Sequence, residues 1–385
     1  MRVIDIAVSP SDGERGTAIQ WTHSLRSVVT IWALTRILTI GAIGVLAVAL
    51  GKSFSRTWSQ WDAGWFLHIA EHGYSADSQA PAFYPFYPAL LRVASELLQD
   101  HAVVAGVLLA LPLTLIAFVL LHALALRQVG EEAALRAVAY LALFPYAFFL
   151  QALYSETLYL ALAIGAFLAA ERRYFLVAGS LAGGAMLARP LGPAVLVGIA
   201  ILAVGSRYPR QALAQLVIAP ALFLVFPLVL MLEGRGPFAF LHAEDEWRDV
   251  SPFSAFYGTF RATQEAWRGL KELAPGTSGG EYLALVNVTA LLSLVVFAAL
   301  SIAAWRRLGS AYGVYCMLSL AVPIVATTAP YPLASMQRFV LTLFPCFITL
   351  GALPIGRAAH RALLTLCALA MIGVLYYWTR GLFVA

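Results

Sequence analysis

The sequence predicts an all-α integral membrane protein, a bundle of about eleven transmembrane helices forming one polytopic domain over residues 1–385. Three observations carry this. Only 12% of the residues are charged and 61% are hydrophobic, with a mean hydropathy of +0.81. Runs of Leu, Ala, Val and Ile recur at close to the roughly 20 residues that a helix needs to cross a bilayer. No segment between them is long and polar enough to build a separate soluble core.

The apolar spans fall near 25–50, 102–126, 133–151, 154–170, 174–188, 190–206, 211–232, 282–304, 310–328, 338–356 and 361–380. The fifth and sixth are the least distinct, because Gly183, Gly184, Pro190 and Pro193 suit one broken helix as well as two. Residues 1–24 are mixed and polar, lack the apolar run of a signal peptide, and are expected to form a cytoplasmic tail. With the N-terminus inside, the short inner connections carry Arg127 and Arg136, Arg172 and Arg173, Arg207 and Arg210, Arg306 and Arg307, then Arg357 and Arg361. Each is a basic pair, as the positive-inside tendency requires. The outer side then holds two long segments, 51–100 and 233–281, the second leaving through a flexible PGTSGG at 275–280.

The net charge of +5 is accounted for by these loop arginines, so nucleic acid is not an expected partner. Cys316, Cys346 and Cys367 lie in apolar runs, which argues against disulfides and gives no zinc spacing. Arginine far outnumbers lysine, which occurs only at 52 and 271, and Ala and Leu dominate. That bias points to a GC-rich bacterial source, hence to a plasma-membrane location.

The segment WSQWDAGWFLHIAEHGYSADSQAPAFYPFYP at 58–88 stands apart, with its acid, two histidines and dense aromatics. As a helix, 61–72 places Trp61, Trp65, His68 and His72 on one stripe and Asp62, Phe66 and Ile69 on the next. Gly73 suits the C-terminal stop, and the tryptophans suit an interfacial helix at headgroup depth. Asp62 would start that helix, where the dipole favours a carboxylate. An anchor whose acid merely caps the helix explains the residue types equally well. His68, Glu71 and His72 formally match H-x-x-E-H, but no third ligand with a defined place follows, so a solvated or substrate-facing pair is the expectation.

Paired-carboxylate glycoside hydrolysis is excluded on geometry: Asp62 and Glu71 on one helix stand roughly 13 Å apart, against the 5–10 Å that this reaction needs. A single carboxylate suits transfer from a sugar phosphate to an alcohol. The phosphate leaves without a proton, so one base for the acceptor hydroxyl suffices. Arg338, in SMQRFVLTLFP, and Arg189, in ARPLGP, are the candidate cations for the phosphate. Arg36 in the first span is expected to snorkel to an interface. Glu156, next to Ser155 in ALYSETLYL, fits a helix start and also a substrate-orienting acid beside Asp62. The second outer segment, LHAEDEWRDVSPFSAFYGTF with Trp267 beyond it, suits sugar stacking or a solvated cover.

The blocks WDAGWFLHIAEHGY, AFYPFYPALL, FPYAFFLQALYSETLYLAL, ARPLG and MQRFVLTLFP, in this order over most of the chain, resemble the PIG-V family, the GPI mannosyltransferase II group of the GT-C superfamily. The resemblance implies a GT-C-type bundle whose site faces outward. It also implies a polyprenyl-phosphate sugar donor, most simply mannose, inverting transfer in one displacement, and no metal or other cofactor. Asp62 matches the family's first-loop acid, the base. Arg338 and Arg189 would hold the lipid phosphate, with Glu156, His68 and His72 in supporting roles and Trp61, Trp65, Phe83, Tyr84 and Tyr87 shaping the pocket. The compact chain and its bacterial composition depart from a GPI-building role, which leaves a lipid or glycan acceptor at the outer membrane face. The competing class is a transporter or flippase of lipid-linked sugars. Such proteins tend to show paired repeats with broken helices at mid-membrane, whereas here the polar groups gather at one face.

Overall fold

In the computed structural model, which describes residues 12–75, 77–247, 249–250, 254–272, 281–327 and 331–385, each predicted apolar run falls on a helix or on a string of shorter helices. The predicted exit at 275–280 and the first eleven residues of the expected tail lie outside the described residues. The rest of that tail is already helical, because α1 runs unbroken over Asp12–Ala49. Four short elements follow in the 51–100 segment: α2 (Phe54–Trp58), α3 (Asp62–His72), a 3-10 turn at Ala80–Ala82, and α4 (Phe86–Leu97).

The bundle continues with α5 (Ala102–Val129), α6 (Glu131–Leu143), a 3-10 turn at Ala147–Leu150, α7 (Glu156–Glu171), α8 (Phe175–Ala188) and α9 (Gly192–Val204). The fifth and sixth runs are therefore two helices, α8 and α9, which fold back and pack on each other. The next run is divided into α10 (Pro209–Leu216), α11 (Ile218–Phe223) and α12 (Val225–Leu232). Pro220 and Pro227 explain the divisions, since each lacks an N–H and its ring crowds the preceding turn. The second long segment carries α13 (Ala239–Trp247), the two-residue β1 (Asp249–Val250) and α14 (Ser254–Glu272). Beyond it come α15 (Glu281–Leu308), α16 (Ser310–Val325), β2 (Ala326–Thr327, antiparallel to β1), α17 (Met336–Leu341), α18 (Phe344–Gly351) and α19 (Arg357–Thr379).

Among the described residues, five segments are long and apolar enough to cross a membrane: 23–49, 102–129, 209–232, 285–308 and 357–379. Three shorter apolar helices, α8, α9 and α16, pack among them. The outward faces are greasy: Ile37, Val45 and Val48 on α1, Leu292 and Val295 on α15, and Leu366 and Leu369 on α19 are all exposed. A soluble surface does not carry apolar side chains in this density, and lipid is the solvent that accepts them. The chain is a membrane protein.

Lipid tails give helices no hydrophobic reason to associate, so close packing at small residues matters more. At Gly351 an added Cβ would stand 2.4 Å from the Ala133 carbonyl oxygen, so α18 meets α6 backbone to backbone. Cys316 and Cys346 are free thiols in the core with Sγ atoms 3.9 Å apart. At one end of the bundle, Tyr312 and Gln128 both donate to Glu171, while Arg136 and Arg357 both reach Glu132. The basic pairs of the short connections cluster there. The segments 51–100 and 233–281 meet at the other end, where Glu233 accepts from the backbone N–H groups of Tyr74 and Ser75, and Arg235 donates to their carbonyls at 3.1 and 2.9 Å.

One expectation fails within the bundle. Arg36 does not snorkel: it is buried, its three guanidinium nitrogens find no hydrogen-bond partner among the described residues, and its nearest aromatic is the Phe118 ring 5.9 Å away. Hydropathy places Arg36 on α1 but cannot say that its face of the helix turns toward α5. An unpaired buried cation weakens the fold, so Arg36→Met, similar in length and apolar, is expected to raise the melting temperature in detergent. A lower melting temperature would show that Arg36 has a stabilising partner.

Candidate active site

Four charged side chains from four separate parts of the chain form one continuous ion chain. Arg338 on α17 donates from Nη1 to Asp62 Oδ2 at 2.6 Å and from Nε to Glu156 Oε1 at 2.7 Å. Arg189, at the end of α8, places Nη1 2.7 Å from the same Glu156 oxygen and 3.3 Å from Ser155 Oγ. The order is Asp62, Arg338, Glu156, Arg189. Glu156 is wholly enclosed and both arginine side chains are 7% exposed, whereas the Asp62 side chain is 32% exposed. Asp62 is therefore the most exposed member of the chain.

The local sequence explains how each group arrives. Asp62 is the first residue of α3, and the chain before it is tied down twice: Tyr154 Oη donates to the Gln60 carbonyl at 3.0 Å, and Trp378 Nε1 donates to the Thr57 carbonyl at 3.0 Å. Trp61 must then turn with φ at +56°, a conformation that costs a bulky residue about 1–3 kcal/mol. Ser335, before α17, also sits at positive φ, +65°. Two of the five non-glycine residues at positive φ among the described residues thus lead into Asp62 and Arg338. The guanidinium of Arg338 lies over the Tyr154 and Phe149 rings, 4.5 and 5.2 Å from their centroids. Those rings meet its face while the carboxylates take its edge, an arrangement suited to arginine. Arg189 is presented by a sharp reversal between α8 and α9. There a Cβ on Gly192 would fall 2.2 Å from Met186 Cα, so only glycine permits the reversal.

The ion chain borders a cavity of about 420 Å³. Trp61, Asp62, Phe83, Tyr84, Arg189 and Arg338 of the predicted residues line it. Glu156 stands behind Arg338 and closes the network instead of touching the space. The structure does not bring the other predicted residues to the cavity wall. Trp65 stacks on Phe83, which does line it, with centroids 5.5 Å apart. Tyr87 is buried against Phe66, and its hydroxyl has no partner among the described residues. His68 and His72 stack on each other with centroids 4.9 Å apart, away from the ion chain. The physical reason is that α3 buries Ala63, Phe66, Ile69 and Ala70. The stripe bearing Trp65 and the histidines therefore turns aside, and Trp61 reaches the cavity only because it caps the helix with an unusual backbone.

The cavity also draws on residues that sequence reasoning did not single out: Glu244 from α13, and Tyr331, Phe339 and Phe383. The acid-rich LHAEDEW was the one available signal for Glu244. Burial and the negative charge of Glu244 push the Tyr84 phenol well above its usual range, so Tyr84 presents a neutral hydroxyl. Phe240 of α13 packs on Tyr84, Phe223 and Phe226, which holds the second long segment over the cavity. Trp267, by contrast, is exposed and lies under Lys271.

Removing one member of a buried ion network leaves its partners charged and unpaired, at about 3–5 kcal/mol. Glu156→Gln is expected to lower the melting temperature of the detergent-solubilised protein strongly, and Glu71→Gln, exposed on α3, to leave it unchanged. Equal melting temperatures for the Glu156→Gln variant and wild type would contradict the network.

Comparison with curated proteins returns no match. The family description "Mannosyltransferase (PIG-V)" matches residues 23–216, half of the chain. The matched region contains Asp62, Glu156 and Arg189, and Arg338 lies beyond it. A membrane bundle with an acid-bearing cavity at one end, carrying this match, is a glycosyltransferase: the chain belongs to the PIG-V mannosyltransferase family.

Proposed function

We propose that the protein moves mannose from a polyprenyl-phosphate donor to a hydroxyl of a lipid or glycan acceptor, with inversion and in one displacement. The observation that carries this is the accessible carboxylate of Asp62, held by Arg338 at the cavity. Arg338 occupies only Oδ2 of Asp62. As the acceptor oxygen attacks the anomeric carbon, the carboxylate takes the hydroxyl proton. The bond from that carbon to the phosphate oxygen breaks on the opposite side, and the lipid phosphate departs with the electron pair. No acid is needed on the leaving side, which matches a site with one exposed carboxylate in the ion chain.

The remaining groups have roles that follow from their contacts. Arg338 uses Nε and Nη1 on Glu156 and Asp62, and its Nη2 has no described partner, so Nη2 is the donor left for a phosphate oxygen of the reacting donor. Glu156 fixes both arginines and so is a positioning residue. Trp61, Tyr84, Tyr331 and Phe383 give the sugar flat faces and hydroxyls. The polytopic arrangement is eleven spans with the N-terminus inside and the cavity facing outward across a plasma membrane. The basic pairs at the far end of the bundle and the two long segments over the cavity support that orientation.

A positioned general base contributes about 10²–10⁴ in rate. Asp62→Asn is expected to lose at least a hundredfold in turnover while keeping its elution profile, with a smaller drop in melting temperature than Glu156→Gln, because Asp62 is the more exposed and Arg338 keeps Glu156. The assay is mass-spectrometric detection of a hexose-bearing product from polyprenyl-phosphate mannose and membrane lipid extract. Wild-type turnover in Asp62→Asn would remove Asp62 from the mechanism.

A further inference from the structure

A second cavity, about 300 Å³, opens on the other side of Trp61 and is lined by Lys52, Arg56, Gln60 and Arg380, with Thr57, Thr379 and Gly381. Three cations and no carboxylate face it. None of the three forms an ion pair among the described residues; Arg380 only rests on the Tyr376 ring, 5.6 Å from its centroid. By contrast, Arg338 and Arg189 are matched by Asp62 and Glu156, and Arg136 and Arg357 by Glu132. Gln60 adds an independent sign. Its Nε2 donates to the Thr57 carbonyl at 2.9 Å, while its Oε1 is buried and accepts from nothing described.

The charge balance of the neighbouring cavity sharpens the point. There Arg189 and Arg338 are already paired with Glu156 and Asp62, and Glu244 also lines the wall, so that space offers no surplus positive charge to a phosphate. The second cavity offers three positive charges. The carbonyl end of α19, which finishes beside it at Thr379, weighs against an anion by about half a charge. The cations outweigh it severalfold. A basic pocket at the end of a membrane helix bundle is suited to a phosphate-bearing lipid headgroup, and arginine's forked donors match phosphate oxygens.

We infer that Lys52, Arg56 and Arg380 form an anion subsite for the phosphate of a lipid substrate, with Gln60 Oε1 accepting from a neighbouring hydroxyl. The subsite sits one residue from Asp62, and its assignment to a substrate rests on the transferase reading. The same chemistry fits two sources, the polyprenyl phosphate of the donor and the phosphodiester of a glycerolipid acceptor.

Binding needs no turnover, so titration of purified full-length protein in an uncharged maltoside detergent tests the subsite separately from the reaction. The probes are farnesyl phosphate, farnesol and dihexanoyl phosphatidylglycerol, at 0.15 M and 0.5 M salt, the higher shrinking the Debye length to about 4 Å and so suppressing distant charge effects. Wild type is expected to bind at least one phosphate probe about tenfold or more tighter than farnesol. The triple variant Lys52→Gln, Arg56→Gln, Arg380→Gln is expected to lose that margin at both salts, and Lys52→Arg to retain it. The single Arg380→Gln, at an exposed position, is expected to weaken binding about threefold and serves if the triple variant does not fold. A stronger margin for farnesyl phosphate assigns the subsite to the donor, whose one phosphate then lies here instead of at Arg338 Nη2, and a stronger one for phosphatidylglycerol assigns it to the acceptor. Phosphate probes that bind no tighter than farnesol, or equally to wild type and the folded variants, would overturn the inference. Asp62→Asn is expected to bind the probes as wild type does, so loss of transfer and loss of this subsite are separable.

Discussion

The ion chain Asp62–Arg338–Glu156–Arg189 is the constraint around which the cavity-bearing end of this protein is arranged. Four charges in a mostly apolar bundle are tolerable only when each finds an opposite partner at close range, and here every link is 2.6–2.7 Å. The partners come from α3, α7, the end of α8 and α17, so the network fixes the relative positions of four otherwise distant segments. The aromatic bed under Arg338 and the two strained residues Trp61 and Ser335 are consequences of bringing those groups together. The arrangement leaves one carboxylate accessible and the remaining charges largely enclosed.

This distribution separates two jobs that an active site must do. Enclosed charges hold geometry, since they cannot reorganise without desolvated ions losing their partners. The Asp62 carboxylate, the most exposed of the four, is the one the proposed reaction uses as base. The neutral sum of the four charges also limits how well the cavity can capture an anion by electrostatics alone. The cluster of Lys52, Arg56 and Arg380 on the far side of Trp61 lies where that shortfall can be met without disturbing the ion chain.

Much of this was legible in the sequence, for a physical reason. In a chain with few charges, a polar residue inside an apolar run is conspicuous because it is expensive there. Glu156, Arg189 and Arg338 were found that way, Asp62 came from the aromatic-rich polar segment 58–88, and the runs themselves located the helices. What was illegible depended on helix rotation and on distant chain crossings. A helical wheel groups Trp65, His68 and His72 into a stripe, yet which stripe of α3 meets the cavity is set by the burial of Phe66 and Ile69 against other elements. Arg36 was placed correctly on its helix, but the expected snorkelling gave way to burial against α5. Glu244, Tyr331 and Phe383 reach the cavity from segments far apart in sequence, and no local pattern announces that. The divisions at Pro220 and Pro227 could be seen as prolines but not as ends of separate helices.

The central claim is that one carboxylate at this cavity drives a single displacement at the anomeric carbon. The most direct measurement is the anomeric configuration of the product, read by NMR after transfer from a donor of known configuration by the purified protein. The account predicts the opposite configuration to that of the donor. Retention of configuration would require two displacements and a second nucleophile, and would contradict it.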